Sequence, residues 1–123
     1  MEDTVEIKWS IEPEDHDYPS AELYLILLYG ESTANKYVEQ LRKAPTTKFK
    51  AKDIFRASGL SLLGVSNSHV EHDRKKILDG KSLSPLPLVR ATNSQRLIIA
   101  DGYHRMCSVY LFDEDAMIPC KVV

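Results

Sequence analysis

Gly80 divides this chain into two textures, and that division limits the possible folds more than any other feature of the sequence. Before it, apolar residues recur at helical spacing in short segments closed by Gly30, Pro45 and Gly59. After it, the extended runs Pro85 to Arg90 and Arg96 to Ala100 flank the polar turn Thr92-Asn93-Ser94-Gln95, and Met117 to Val123 closes the chain as a final strand. Helices and strands segregated in this way indicate the α+β class, with a small mixed sheet packed against several short helices. The length of 123 residues, 43% of them hydrophobic, supplies one core and not two. A single domain is therefore expected, with residues 1–45 forming an N-terminal strand and helical hairpin and residues 46–123 forming the main body.

Along the chain, Val5, Ile7, Trp9 and Ile11 alternate with polar residues, which is the period of a half-buried strand. Ser20 to Tyr29 predicts a helix with Leu23, Ile26 and Leu27 inward. Ser32 to Lys43 predicts a second, capped by Ser32, with Tyr37, Val38 and Leu41 inward and Glu39 paired with Lys43. Ala51 to Ser58 predicts a short helix closed by Gly59. Ser68-His69-Val70-Glu71 fits a capping box opening another, with Val70, Ile77 and Leu78 inward. Pro85 and Pro87 cannot donate ladder bonds, so a strand entrance or a sheet edge is expected there. Met106, Val109 and Tyr110 mark a last helix.

Sixteen Lys and Arg against eighteen Asp and Glu give a net charge of −2, which supplies no overall drive toward DNA or an anionic membrane. The acidic start lacks the basic head and apolar run of a secretory signal, and the longest apolar stretch, Leu23 to Tyr29, is far short of a bilayer span of about 20 residues. A cytoplasmic location is expected. Cys107 and Cys120 lack the close spacing of a zinc or redox pair, and buried reduced thiols are expected. Asp15-His16-Asp17 and His69-x-x-His72 each lack further metal ligands and read as solvated turn and helix residues.

The chemistry concentrates in Asp101-Gly102-Tyr103-His104-Arg105, where an apolar strand passes through a glycine into a helix. The unpaired amides of a first helical turn attract anions, Gly102 admits close approach, Arg105 offers a planar fork for phosphate oxygens, and His104 adds a donor whose charge changes near neutral pH. Asp101 has three readings: a plain helix N-cap, the holder of a cation that offsets its repulsion of phosphate, or a general base toward a substrate hydroxyl. For the other residues the plain alternative is surface polarity at a helix start.

The order of pieces resembles the ParB/sulfiredoxin-like fold. The resemblance is carried by Asp79-Gly80-Lys81, the strand Leu83 to Val89, Ile98-Ile99-Ala100-Asp101-Gly102-Tyr103-His104-Arg105, and the strand Ile118 to Val123. It covers the second half of the chain. It implies that the stretch Gly102, Tyr103, His104 and Arg105 holds nucleotide phosphates, as ATP in sulfiredoxins and free-serine kinases or CTP in ParB proteins. Gly102 would be the backbone contact, and His104 and Arg105 the phosphate contacts. A nucleoside triphosphate with Mg2+ is the implied cofactor, with Asp101 as its metal ligand and Asp101 and His104 as the catalytic candidates. Sulfiredoxins resemble Gly-Cys-His-Arg at this place, and Tyr103 stands where their reactive cysteine would be, which excludes thiolate chemistry.

Three functions compete. One is phosphoryl transfer or nucleotide hydrolysis. The second is a non-catalytic nucleotide-sensing module. The third, with least support, is a DNA-binding or nuclease accessory role using Lys48, Lys50, Lys52, Arg56, Arg74, Lys75 and Lys76. A helix-turn-helix unit of the ParB type is not present in the sequence, and a nuclease would have only Asp101 as a well-placed metal carboxylate.

Overall fold

The computed structural model describes residues 5–90 and 96–123; the expected turn Thr92 to Gln95 lies outside them. Five helices and four strands alternate in the order α1 (Asp17–Tyr29), α2 (Glu31–Lys43), β1 (Thr46–Lys50), α3 (Ala51–Ser58), α4 (Ser68–Leu78), β2 (Leu86–Arg90), β3 (Leu97–Ile99), α5 (Tyr103–Phe112) and β4 (Met117–Val122). The strands form one mixed sheet in the order β1-β4-β2-β3, in which β2 runs parallel to β4 and the other neighbours are antiparallel. This is the expected α+β class. No helix among the described residues is long and apolar enough to cross a membrane.

The sheet is covered on both faces, and the period of two along each strand decides which side chain goes where. Leu86, Leu88, Ile99, Ile118 and Cys120 join Ile54, Val70, Ile77, Met106 and Val109 of α3, α4 and α5 in one core. Val89 and Ala100 join Tyr18, Ala21, Leu25, Ala34, Val38 and Leu41 of α1 and α2 in the other. Double coverage explains why β2 reads as a continuous apolar run. Of the two alternatives expected at the prolines, the strand entrance holds, since Pro85 directly precedes β2, and the sheet edge does not, because β2 is an interior strand. Pro87 is tolerated there because the β2–β3 ladder ends at it. Its carbonyl accepts from Ala100 N at 3.0 Å, and its missing donor faces the point where the chain leaves the sheet.

The expected first strand shrinks to one bridge between Trp9 and Leu83. Ser10 N donates to Leu83 O and Leu83 N to Lys8 O, both at 2.8 Å. Ile7 and Trp9 pack on the core, but Ile11 is 87% exposed, so the alternation carries only part of the segment. The first helix begins three residues earlier than expected and buries Tyr18, Ala21 and Leu25, leaving Leu23 and Leu27 exposed. Two adjacent apolar faces compete along Leu23 to Tyr29. Small Ala21 and Ala34 let α1 and α2 approach closely and select the face that carries them.

Other ends differ in detail. Asn67 caps α4, its side chain accepting from His69 N at 2.9 Å and Val70 N at 3.2 Å, while Glu71 turns to Arg74 at 3.1 Å and Leu78 is exposed. The second helix starts at Glu31 after Gly30 with no side-chain cap, and Glu39 meets Arg42 at 3.9 Å. Strand β1 was not expected at all, since every residue of it is exposed and Lys48 and Lys50 make it polar; both traits suit an edge strand.

Buried Lys121 ties the helical pair to the sheet. Its ammonium donates to the Arg42 carbonyl at 3.1 Å and meets Glu12 at 2.9 Å, while the Arg42 guanidinium lies 4.4 Å from the centre of the Tyr18 ring. Burial pulls the Lys121 pKa down, but hydrogen bonds with Glu12 and Tyr18 outweigh it and hold the group above its usual value.

The observed facing of α1 gives a direct test. Leu25→Ala is expected to cost about 2–5 kcal/mol in urea unfolding, whereas Leu27→Ser should stay within about 0.5 kcal/mol. Equal losses at the two positions would contradict the facing described above.

Candidate functional site

Strand β3 ends at Ile99, Ala100 is buried against α1, and the chain leaves the sheet at Asp101. Gly102 then adopts a left-handed conformation, φ 88°, from which α5 departs. A side chain at this place would collide: an added Cβ would sit 2.6 Å from Arg105 Nη2 and press into Leu86. Only glycine allows strand, turn and helix to pack this tightly.

Gly102 is the N-cap of α5, and no side chain caps the helix. The first bond into α5 is donated by Met106 N to Gly102 O at 2.9 Å, so the amides of Tyr103, His104 and Arg105 lack intrahelical partners. The plain N-cap reading of Asp101 therefore fails. Its carboxyl group instead accepts from Gly102 N and is hydrogen-bonded to the side chain of Asp17.

Asp17, 2% exposed in the first turn of α1, is a site residue that sequence reasoning missed. Asp17 accepts from Glu14 N at 2.9 Å and approaches His16 Nε2 at 3.4 Å. The only hint in the sequence was the Asp15-His16-Asp17 grouping, and nothing local connected it to a residue 84 positions away. Two carboxyl groups hydrogen-bond only if they share a proton, because ionised carboxylates are pure acceptors. Accordingly burial, and then the nearby Asp17, raise the Asp101 pKa to about 6 against the opposing pull of Arg105.

A cleft of about 430 Å³ opens on this junction, lined by Ser20 and Tyr24 of α1, Leu60, and Ile99 through His104. Asp101, Gly102, Tyr103 and His104 thus meet on one surface. Arg105 lies behind it. One arm of its guanidinium donates to Pro85 O at 3.3 Å, and its buried Nε has no hydrogen-bond partner. Arg105 therefore acts on the cleft through its charge and by bracing the Gly102 turn.

The Tyr103 hydroxyl donates to the Ser61 carbonyl, and its ring lies 5.4 Å from that of His104. The rings of His104 and His69 are 4.8 Å apart. Burial first, and His69 second, hold the His104 pKa below its ordinary value, although Asp73 pulls it upward. His104 is therefore neutral at pH 7 and offers one donor or acceptor rather than a charge. Cys107 and Cys120 are buried free thiols; burial raises both, Cys120 to about 12. Among the described residues no group of three or more His, Cys, Asp or Glu could hold a metal.

Comparison of the chain with protein-family models, with curated proteins and with solved structures gives no match.

Two outcomes follow from this geometry. Gly102→Ala is expected to lower stability by about 1–3 kcal/mol, from positive φ and the Leu86 and Arg105 contacts; a neutral effect in chemical denaturation would contradict the close packing. For Asp101 the sign is unusual for an acid. Its folded pKa of about 6 lies above the ordinary aspartate value, so its ionisation removes stability as pH rises from about 4 to about 6. Asp101→Asn should therefore gain melting temperature relative to the wild type between pH 4 and pH 7, and a difference independent of pH would contradict the raised pKa.

Proposed function

We propose that this chain binds the phosphate of a phosphorylated ligand at the start of α5, with a nucleoside triphosphate as the ligand class implied by the resemblance to the ParB/sulfiredoxin-like fold. The observation that carries the reading is an uncapped helix start on a cleft. An aspartate stands directly before it, yet leaves the amides of Tyr103, His104 and Arg105 without intrahelical partners. The Arg105 charge behind Gly102 adds to the attraction and offsets part of the repulsion from Asp101.

Magnesium fits as a companion of the ligand. Asp101 supplies one carboxylate on the cleft, and this ion is commonly held by one or two carboxylates together with substrate phosphates. It would neutralise phosphate charge for phosphoryl transfer. In that reaction Asp101, titrating near pH 6, is the candidate to accept a hydroxyl proton, and neutral His104 the candidate to donate a hydrogen bond to a phosphate oxygen. Binding without turnover would instead mark a nucleotide-sensing module.

The nucleic-acid reading loses ground because four of its seven basic residues, Lys50, Lys52, Arg56 and Arg74, are ion-paired. Lys52 and Lys50 meet Asp115 at 2.8 and 3.7 Å, Arg56 meets Asp53 at 3.9 Å, and Arg74 meets Glu71 at 3.1 Å. Such pairing leaves less charge to neutralise DNA phosphates.

Thermal melting with ATP, CTP, GTP and ADP, each with and without Mg2+, tests the proposal. A ligand at about 100 times its dissociation constant should add about 2.7 kcal/mol to the folded state. Without Mg2+, Asp101→Asn should bind more tightly than wild type because a repelling charge is gone; with Mg2+ the order should reverse. No shift with any of the four nucleotides would overturn the proposal.

A further inference from the structure

From the residues that line the cleft beside the phosphate cradle, we infer that Tyr24 and Leu60 form a seat for a planar aromatic base, so that the ligand is a whole nucleoside phosphate held by both of its ends. This inference rests on the phosphate reading and extends it to the N-terminal helices.

The cleft has two kinds of lining. Asp101, Gly102 and His104 supply polar groups, and Tyr24 and Leu60 supply apolar surface, with Ser20 one turn before Tyr24 on the same face of α1. A volume of about 430 Å³ falls in the range of small-ligand sites, which combine apolar walls with a few placed polar groups. Tyr24 is 42% and Leu60 38% exposed, and neither belongs to the packed cores. Their apolar surface is left facing the cleft.

The wall is also held in place. On one side, burial of Ala21 and Leu25 fixes the rotation of α1 and therefore the direction of Tyr24. On the other, Gly59 closes α3 with φ 67°, Leu60 N donates to Ser58 Oγ at 3.2 Å, and the Tyr103 hydroxyl donates to the next carbonyl, Ser61. Tyr103 thereby links the cradle to the apolar wall, starting α5 while pinning the loop that presents Leu60. A fixed aromatic face suits stacking, which tolerates any base because every base offers a π surface.

Binding of inorganic tripolyphosphate and of ATP, CTP and GTP to the full chain, measured by calorimetry on wild type, Tyr24→Ala and Tyr24→Phe, separates the two claims. On the wild type at least one nucleotide should bind about tenfold or more tightly than tripolyphosphate. Tyr24→Ala should lose about 5- to 100-fold in affinity for that nucleotide while its affinity for tripolyphosphate stays unchanged, and Tyr24→Phe should retain the nucleotide affinity. Equal affinities for tripolyphosphate and all nucleotides on the wild type would overturn the base seat and leave the cradle standing. So would a Tyr24→Ala variant that binds nucleotides normally, or one that weakens both ligand types alike. Failure of all four compounds to bind the wild type would overturn the cradle and the base seat together.

Discussion

The absence of a side chain at position 102 is the constraint on which the rest of the cleft depends. Strand β3 must turn into α5 within three residues, with Leu86 on one side and the Arg105 guanidinium on the other, and the backbone does so through a left-handed glycine. That turn aims the first amides of α5 at the cleft. It also leaves the Asp101 carboxyl free to reach back to Asp17 instead of capping the helix. A side chain at 102 would force Leu86 or Arg105 to move, and both are tied to β2, one by position and one through the Pro85 carbonyl. Site geometry and sheet packing are therefore one problem with one solution.

A second dependence joins the two halves of the chain. The helices α1 and α2 cover the sheet face opposite α3, α4 and α5; α1 supplies Ser20 and Tyr24 to the wall of the cleft and the buried Asp17 beside Asp101. Their position is set by burial of Tyr18, Ala21 and Leu25 and by Lys121, whose bonds to the Arg42 carbonyl and Glu12 reach from β4 to both ends of the helical segment. A polar anchor of this kind adds less stability than the apolar contacts around it, because desolvation offsets much of its attraction. What it adds is direction, since an ammonium with fixed acceptors permits fewer arrangements than a greasy face does.

Much of this architecture is legible in the sequence where periodicity is unambiguous. The segments Ala51–Ser58 and Ser68–Leu78, the hairpin of β2 and β3, the strand-glycine-helix junction and the last strand all follow from pattern and punctuation. The misreadings share a cause in tertiary context. Leu23 and Leu27 look as apolar as Leu25, and only contact with Ala34 and Val38 decides which face is buried. Lys48 and Lys50 hide an edge strand, because an exposed edge favours charge over apolar alternation. Pro85 marks the entrance of β2, but Pro87 lies inside an interior strand, because the sequence does not show where a neighbouring ladder stops. Asp17 was invisible as a site residue for the same reason: its relation to Asp101 exists only after α1 docks on the sheet.

The central claim is that the free amides at the start of α5 receive a phosphate group. The most direct measurement is a backbone amide NMR titration of the full chain with a nucleoside triphosphate and Mg2+, following every assigned N–H. The account predicts that the largest shifts fall on Tyr103, His104 and Arg105, saturate with one ligand per chain, and move downfield as amides do when they donate to an anion. Saturating shifts confined to other residues, with those three amides unmoved, would contradict it.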